Sequence, residues 1–317
     1  MIKNKKGAIQ FSFAWIFAII AGAFILFLAI YGVAKFMDLN DDSQNAETAL
    51  DLGILTNPLE SSFESSRRTT LSLSSETRIY LGCRKDNSFG RQTIGISQEN
   101  FNKWSDKGVD VGFPNKYIFA NNPVEGKKFY LFSKPFEFPF KIADLIYLTS
   151  TKDKYCFIDA PKEIEEEITN LRGKSPSSDE NFFIKNCSSA SINICFQGGS
   201  DCDIKVYPNL NYVEKEGDKL YYEGDALMYA AIFSDKEDYE CQLNRLMQRL
   251  SKLLNIYLGK SSFLFTRLNC ESGIDIELNQ LNNLAKNFED SNELNGMNNL
   301  ATTIEDRSKY YGECRLW

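Results

Sequence analysis

Hydrophobic and polar positions divide the chain into two unequal parts. Between Lys6 and Lys35 lie 28 residues without a charge, and only Gln10 and Ser12 among them are strongly polar. Crossing a hydrocarbon core takes roughly 20 apolar residues, and as a helix this run reaches about 42 Å. The apolar region of a cleaved secretory signal covers only about 7–15 residues, so the pattern predicts a retained transmembrane helix over 8–36, despite the small residues Gly32 and Ala34 near its end. Trp15 and Tyr31 lie toward opposite ends, where amphipathic rings suit a membrane interface. Beyond it the pattern turns amphipathic: Ala46, Ala49, Leu50 and Ile54 share a helical face, predicting a juxtamembrane extension over 37–57 that stops at Asn57-Pro58. The Ser- and Thr-rich interval 58–77 reads as a linker or an edge strand.

Residues 78–317 alternate between short strand-like and helical runs. The strands expected are 78–82, 116–120, 128–132, 145–149, 155–159, 191–196, 203–207, 211–215, 219–223, 226–233 and 261–266. Glu216-Gly217-Asp218 is placed as a hairpin turn. A helix over 162–171 opens behind Pro161 and ends before Gly173. The strongest helical pattern starts at a Ser234–Glu237 capping box, carries Tyr239, Leu243, Leu246, Leu250, Leu253 and Tyr257 on one stripe, and ends at Gly259. A further helix is expected over 276–288, exposed loop over 173–181, and loop or frayed end over 292–299. The fold class predicted is α+β: a long amino-terminal transmembrane helix, then a mainly antiparallel domain over 78–317 whose only candidate subdivision falls near 173–190.

Charge orients the anchor. Lys3, Lys5 and Lys6 precede it without an acid, whereas Asp38, Asp41, Asp42, Glu47 and Asp51 follow. The rule that basic flanks stay in the cytoplasm makes 1–7 a cytoplasmic leader and puts the rest outside the cell membrane. Setting aside the four lysines of the first 36 residues leaves 32 basic against 43 acidic side chains, a net charge of −11. That balance excludes nucleic-acid binding by phosphate neutralisation. The chain has no histidine, which removes His general bases, Ser-His and Cys-His nucleophile pairs and most catalytic zinc sites.

All eight cysteines, Cys83, Cys156, Cys187, Cys195, Cys202, Cys241, Cys270 and Cys314, lie beyond the apolar run. An even number in an exported domain predicts disulfides. Zinc and thioredoxin-type redox centres favour closely spaced Cys pairs such as C-x-x-C, and the chain has none. Cys195 and Cys202 flank Gln197-Gly198-Gly199-Ser200 and form the expected local bridge.

Lys5-Lys6-Gly7-Ala8, followed directly by the apolar run, resembles the type IV pilin-like signal of archaeal surface proteins. The resemblance spans some thirty residues and implies that a peptidase cuts the leader between Gly7 and Ala8. It also implies that the helix anchors the subunit or packs into a filament with other pilin-like or membrane-helix subunits. The fifth mature position is Ser12 where that family often carries an acid, so the resemblance speaks more for anchoring than for filament packing. Farther on, Phe132-Ser133-Lys134-Pro135-Phe136 and 226–249 look like uncharacterised membrane-anchored archaeal proteins. Ala14, Ala18, Ala21 and Gly22 are small enough to let another membrane helix approach.

Few side chains outside the anchor form a chemical pattern. Phe136, Phe138 and Phe140 recur at period two and offer a stacking ledge if exposed, or core if buried. Pro135 and Pro139 would hold that ledge at a sheet edge. Glu163, Glu165, Glu166 and Glu167, with Asp144 and Asp159, are the acids available to a carboxylate-pair hydrolase, against the simpler reading of a solvated helix face. Gly259-Lys260-Ser261 lacks the earlier glycine of a phosphate loop. Asp38 to Asp42 lacks the central glycine and terminal glutamate of a calcium loop, and Asp201 with Asp203 is a weaker cation candidate. Asn186-Cys187-Ser188 fits a glycosylation acceptor. The sequence therefore predicts a non-enzymatic, single-pass surface protein, without cofactor or metal, whose partners are the lipid bilayer and other membrane subunits. The alternative is an anchored ectodomain that binds or processes a carbohydrate or another extracellular ligand.

Overall fold

Apolar run and amphipathic extension form one element. In a computed structural model, which describes residues 13–55, 68–85, 89–100, 102–172, 180–184, 187–199, 201–310 and 314–317, helix α1 runs unbroken over Phe13–Leu55. Its stretch Trp15–Val33 is long and apolar enough to cross a membrane, and none of it is buried against the rest of the protein. Asn45, Ala49, Leu52 and Gly53 are buried and Leu50 is exposed, while the side chains of Ala46 and Ile54 lie outside the described residues. The docked face is thus rotated from the one that the hydrophobic positions suggested. Asn45, a polar residue, faces inward because its amide donates to the Ser105 hydroxyl at 3.4 Å.

Two sheets make up the domain. The first has strands β1 (Thr69–Arg84), β2 (Arg91–Asn100), β3 (Lys103–Trp104), β4 (Val111–Phe113), β5 (Ile118–Phe119), β6 (Val124–Glu137) and β7 (Lys141–Ser150), in the order β3-β2-β1-β6-β7-β5 with β4 on β2. It is antiparallel except where β5 joins β7. The second has β8 (Tyr155–Ile158), β9 (Phe182–Phe183), β10 (Ile192–Phe196), β11 (Ile204–Tyr207), β12 (Tyr212–Lys215) and β13 (Asp218–Tyr221), in the order β13-β12-β11-β10-β8-β9. Here β8 pairs in parallel with both β9 and β10, and β10 with β11, so three of this sheet's five pairings are parallel. The parallel step from β8 to β9 passes through helix α2 (Lys162–Arg172), which fits the longer crossover that parallel strands require.

Helices α3 (Gly224–Phe233), α4 (Lys236–Leu268), α5 (Asp275–Lys286) and α6 (Leu294–Tyr310) complete the domain. Residues 226–233, expected as a strand, form most of α3. Every one of them is buried, and a short run that is apolar on all sides has no period by which to tell strand from helix. Helix α4 continues through Gly259, so 261–266 is helical too, and it ends only where Asn269 turns left-handed at φ 49°. The expected capping box does not form: Asp235 takes the cap position, and the Ser234 hydroxyl donates back to the Ala230 carbonyl at 2.6 Å. The Asn-rich interval 292–299 enters α6 rather than a loop. Strand β1 begins nine residues ahead of the expected domain start, and Thr69 to Ser72 pair only with β6, which agrees with an edge.

Side chains alternate across the first sheet. Phe129, Leu131, Ile146 and Leu148 join Ile79, Ile94 and Ile96 on the face that receives Ala49 and Leu52 of α1. Phe132, Leu145 and Tyr147 point the other way, into a larger core shared with the second sheet, α3 and α4. Phe132 sits 4.6 Å from the Tyr147 ring and meets Phe182, Tyr229 and Phe233 edge-on, an arrangement that adds to the burial of each ring.

Candidate functional site

Four disulfides, Cys83–Cys241, Cys156–Cys187, Cys195–Cys202 and Cys270–Cys314, use all eight cysteines. The local bridge joins β10 to β11 as expected, and the longest fastens β1 to α4.

Phe136, Phe138 and Phe140 are not a binding ledge. They are 1%, 3% and 4% exposed; Phe136 stacks on Phe138, and Phe140 packs between Tyr257 and Trp317. Among the described residues their segment lies at an edge: β1 begins opposite Leu131, so the end of β6 pairs with β7 alone there, and Pro135 sits without needing a donor. The Asp38–Asp42 region is continuous helix, incompatible with a cation-binding loop. Asp203 is used structurally, its carboxylate accepting from the Asn193 amide at 2.7 Å. Lys260 and Ser261 lie inside α4, where a helix interior presents no free amides to a phosphate. Gly7, Ala8 and Asn186 lie outside the described residues.

The acids do not converge on one cleft, and Asp159 is exposed in the loop after β8. Asp144 pairs with Lys141 at 2.8 Å. Glu165 and Glu166 border a wide groove of about 670 Å³ with Lys162 and Arg172, whose mixed charges balance. Glu167 turns inward, where its carboxylate accepts from Lys134 Nζ at 2.8 Å and from the Tyr229 hydroxyl at 3.1 Å. Lys134 also reaches Asp225 at 3.5 Å. Burial, reinforced by Glu167, pushes the Tyr229 hydroxyl far above the ordinary phenol range, so it stays protonated and donates.

Asp225 connects this cluster to a concavity of about 400 Å³ between the first turn of α2, the β13–α3 junction and the turn after β11. Ile164, Phe196, Tyr222 and Met228 give it an apolar floor, and Glu163, Glu223 and Asp225 give it an acidic rim. Glu163 and Asp225 each occupy the first turn of a helix, where the dipole favours an anion. Glu223 is held by Asn211 Nδ2 at 3.4 Å. Half-burial pushes the Glu223 carboxyl up, against a hydrogen bond from Asn298 that lowers it. The Tyr222 hydroxyl is pushed up to about 12, first by burial and then by Asp225 and Glu223. Three carboxylates over an apolar floor suit a ligand with a cationic end and an apolar body; among the described residues no Cys, Asp and Glu grouping could hold a metal ion. Of these residues only Glu163 stood out in the sequence. Tyr222-Glu223-Gly224-Asp225 carried the available signal, acids flanking a glycine just before an apolar run.

No protein family, curated protein or solved structure matches the chain.

Proposed function

We propose that this is a single-pass membrane-anchored surface protein whose helix α1 holds a disulfide-braced, non-enzymatic domain outside the cell. One observation carries the reading: the same unbroken helix is bare and apolar over Trp15–Val33 and docked into the sheet over 45–53. A helix that only needed to tether would not be welded to the domain. Continuity of this kind transmits orientation and load from bilayer to domain, which suits a display or adhesive role. Disulfides favour an oxidising exterior, and the lysines before α1 favour a cytoplasmic amino end. Cleavage between Gly7 and Ala8, and association with pilin-like or other membrane-helix subunits, belong to the same proposal.

Alkaline carbonate extraction of membranes tests it. The native chain is expected to stay in the pellet, and a variant with Ile19, Phe24 and Leu28 changed to Asp is expected in the supernatant, its domain still folded. Native protein released by carbonate would overturn the anchor. Intact mass of the same material decides whether the chain starts at Met1 or Ala8. A second reading, an anchored ligand-binding ectodomain, is favoured by the acid-rimmed concavity of Glu163, Glu223 and Asp225.

A further inference from the structure

Past Tyr257, helix α4 stays packed along one side, through Leu258, buried Ser261 and Leu264, and bares the other. Tyr257 packs against Phe140 and Trp317 at 4.5 and 5.2 Å, and the helix then continues eleven residues to Leu268, about 16 Å further. On the bared side Ile256, Phe263, Phe265 and Leu268 are 65%, 59%, 56% and 65% exposed, joined by Ile276 at 72%. So many large apolar side chains clustered in solvent mark an interaction surface. Along α4 itself the charge is opposite to that of the whole, and acids return only beyond Cys270, at Glu271 and at Asp275 and Glu277 beside Ile276. Between Cys241 and Cys270 there is no Asp or Glu in a chain of net charge −7, while Lys252, Lys260 and Arg267 are exposed.

Strand registers show which way this tip points. Helix α1 meets β2 at the Gln98 end, where Asn45 touches Ser105, which bonds Gln98, and Gly53 lies on Phe113, the partner of Gln92. Its apolar stretch therefore leaves the sheet beyond the Gln98 end. β6 runs in that same sense, from Val124 opposite Ile79 to Leu131 opposite Thr69, and on to the hairpin at 138–140. Helix α4 starts at the other end, bridged to Cys83 and bonded through Arg245 to the carbonyls of Phe89 and Pro114. It then passes Ile142, bonded by Arg249, and reaches Phe140. The far end of α4 and the apolar stretch of α1 thus emerge at the same end of the sheet, from opposite faces.

We propose that the tip of α4, residues 256–268 with Ile276, is a peripheral contact with the anionic surface of the bilayer that α1 spans. Phe263, Phe265 and Leu268 enter the interfacial layer and Arg267 meets the headgroups, with Lys260, whose Nζ donates to the Leu316 carbonyl at 2.7 Å, held beside them. The inference rests on the anchor reading. With two contacts, the domain lies against the membrane instead of standing away from it.

The full chain, reconstituted in bilayers of equal parts phosphatidylglycerol and phosphatidylcholine that contain a photoactivatable acyl-chain lipid, tests both readings separately. After illumination, peptide mapping is expected to find lipid adducts on α1 and on 256–276. The second adduct is expected to be lost in the F263S/F265S/L268S variant and to fall severalfold in phosphatidylcholine alone, with α1 labelled as before. These three side chains are exposed, so the variant keeps its four disulfides. Adducts on α1 without any on 256–276 overturn the inference and leave the anchor standing. Adducts on neither remove both. A tip that cross-links to a second copy of the chain instead of to lipid overturns the inference, and equal labelling in the two lipids overturns its electrostatic part.

Discussion

Arg245 shows how much one side chain can hold together. It is 1% exposed, and its guanidinium donates to the carbonyls of Phe89, Pro114 and Lys116 and to Gln242, all from α4 toward the first sheet. It also lies 4.6 Å over the Tyr117 ring. Gly90, at φ 57°, lets the chain pass beside it, because a side chain there would strike the Arg84 carbonyl and Arg245 itself. Replacing Arg245 by Ala strands buried carbonyls, and the expected loss is roughly 3 kcal/mol or more, read from denaturant unfolding; a loss below the effect of an ordinary surface substitution would refute this role. Nothing in the sequence distinguishes Arg245 from the solvated arginines, because apart from Gln242 its hydrogen-bond partners are backbone groups more than a hundred residues away.

Acids set the pH response at the same scale. Burial pushes the carboxyls of Asp153, Glu223, Asp238 and Glu240 up. The folded chain therefore holds these protons more tightly than the unfolded chain, and ionisation at neutral pH costs stability. That stability returns as pH falls through the raised values and is complete below the unfolded value near about 4. Glu125 opposes this: hydrogen bonds from Lys152 and Arg78 hold its carboxyl down, so its contribution exists above the unfolded value and disappears as pH falls through the lowered one. Asp238→Asn is expected to stabilise the protein at neutral pH and to make no difference near pH 4, measured by urea unfolding at both. A difference that does not change with pH would contradict the assignment.

At the scale of elements, legibility followed periodicity. The alternation of β11 and β12 and the stripe of α4 could be read directly, and the middles of β6 and β7 from their apolar runs at 128–132 and 145–149. β2 escaped because Gly95 and its polar neighbours dilute the Ile94–Ile96 alternation, and α3 because full burial erases any period. Gly259 did not end α4, since a single helical glycine costs only about 1 kcal/mol and the flanking residues continue to favour helix. The site was less legible still: Glu163, Glu223 and Asp225 converge through the β13–α3 junction, a long-range arrangement that no local spacing encodes. The docked end of α1 invites a direct test. Gly53 lies against the Phe113 ring with no room for a side chain, so Gly53→Leu is expected to loosen 45–53 from the sheet at a cost of about 1–3 kcal/mol. Faster hydrogen exchange in 45–53 and β4, with unchanged membrane extraction, is the expected result; unaltered protection would mean that this contact does not hold the helix.

At the scale of the whole molecule, a bare apolar helix, a domain welded to its end and four bridges describe one object. The bridges tie β1 to α4, β8 to the chain before β10, β10 to β11, and the end of α4 to the carboxy-terminal segment. Four such bridges favour an oxidising compartment, in line with the proposed placement outside the cell. Thiol state in membrane-isolated protein joins topology to fold in a single observation. Membranes prepared from the native cells in the presence of an alkylating agent, without reductant, are expected to yield a chain with no alkylated cysteine, and with eight after unfolding and reduction. Recovery of the folded chain with alkylated cysteines, from membrane or cytosol, would contradict an anchored domain held outside.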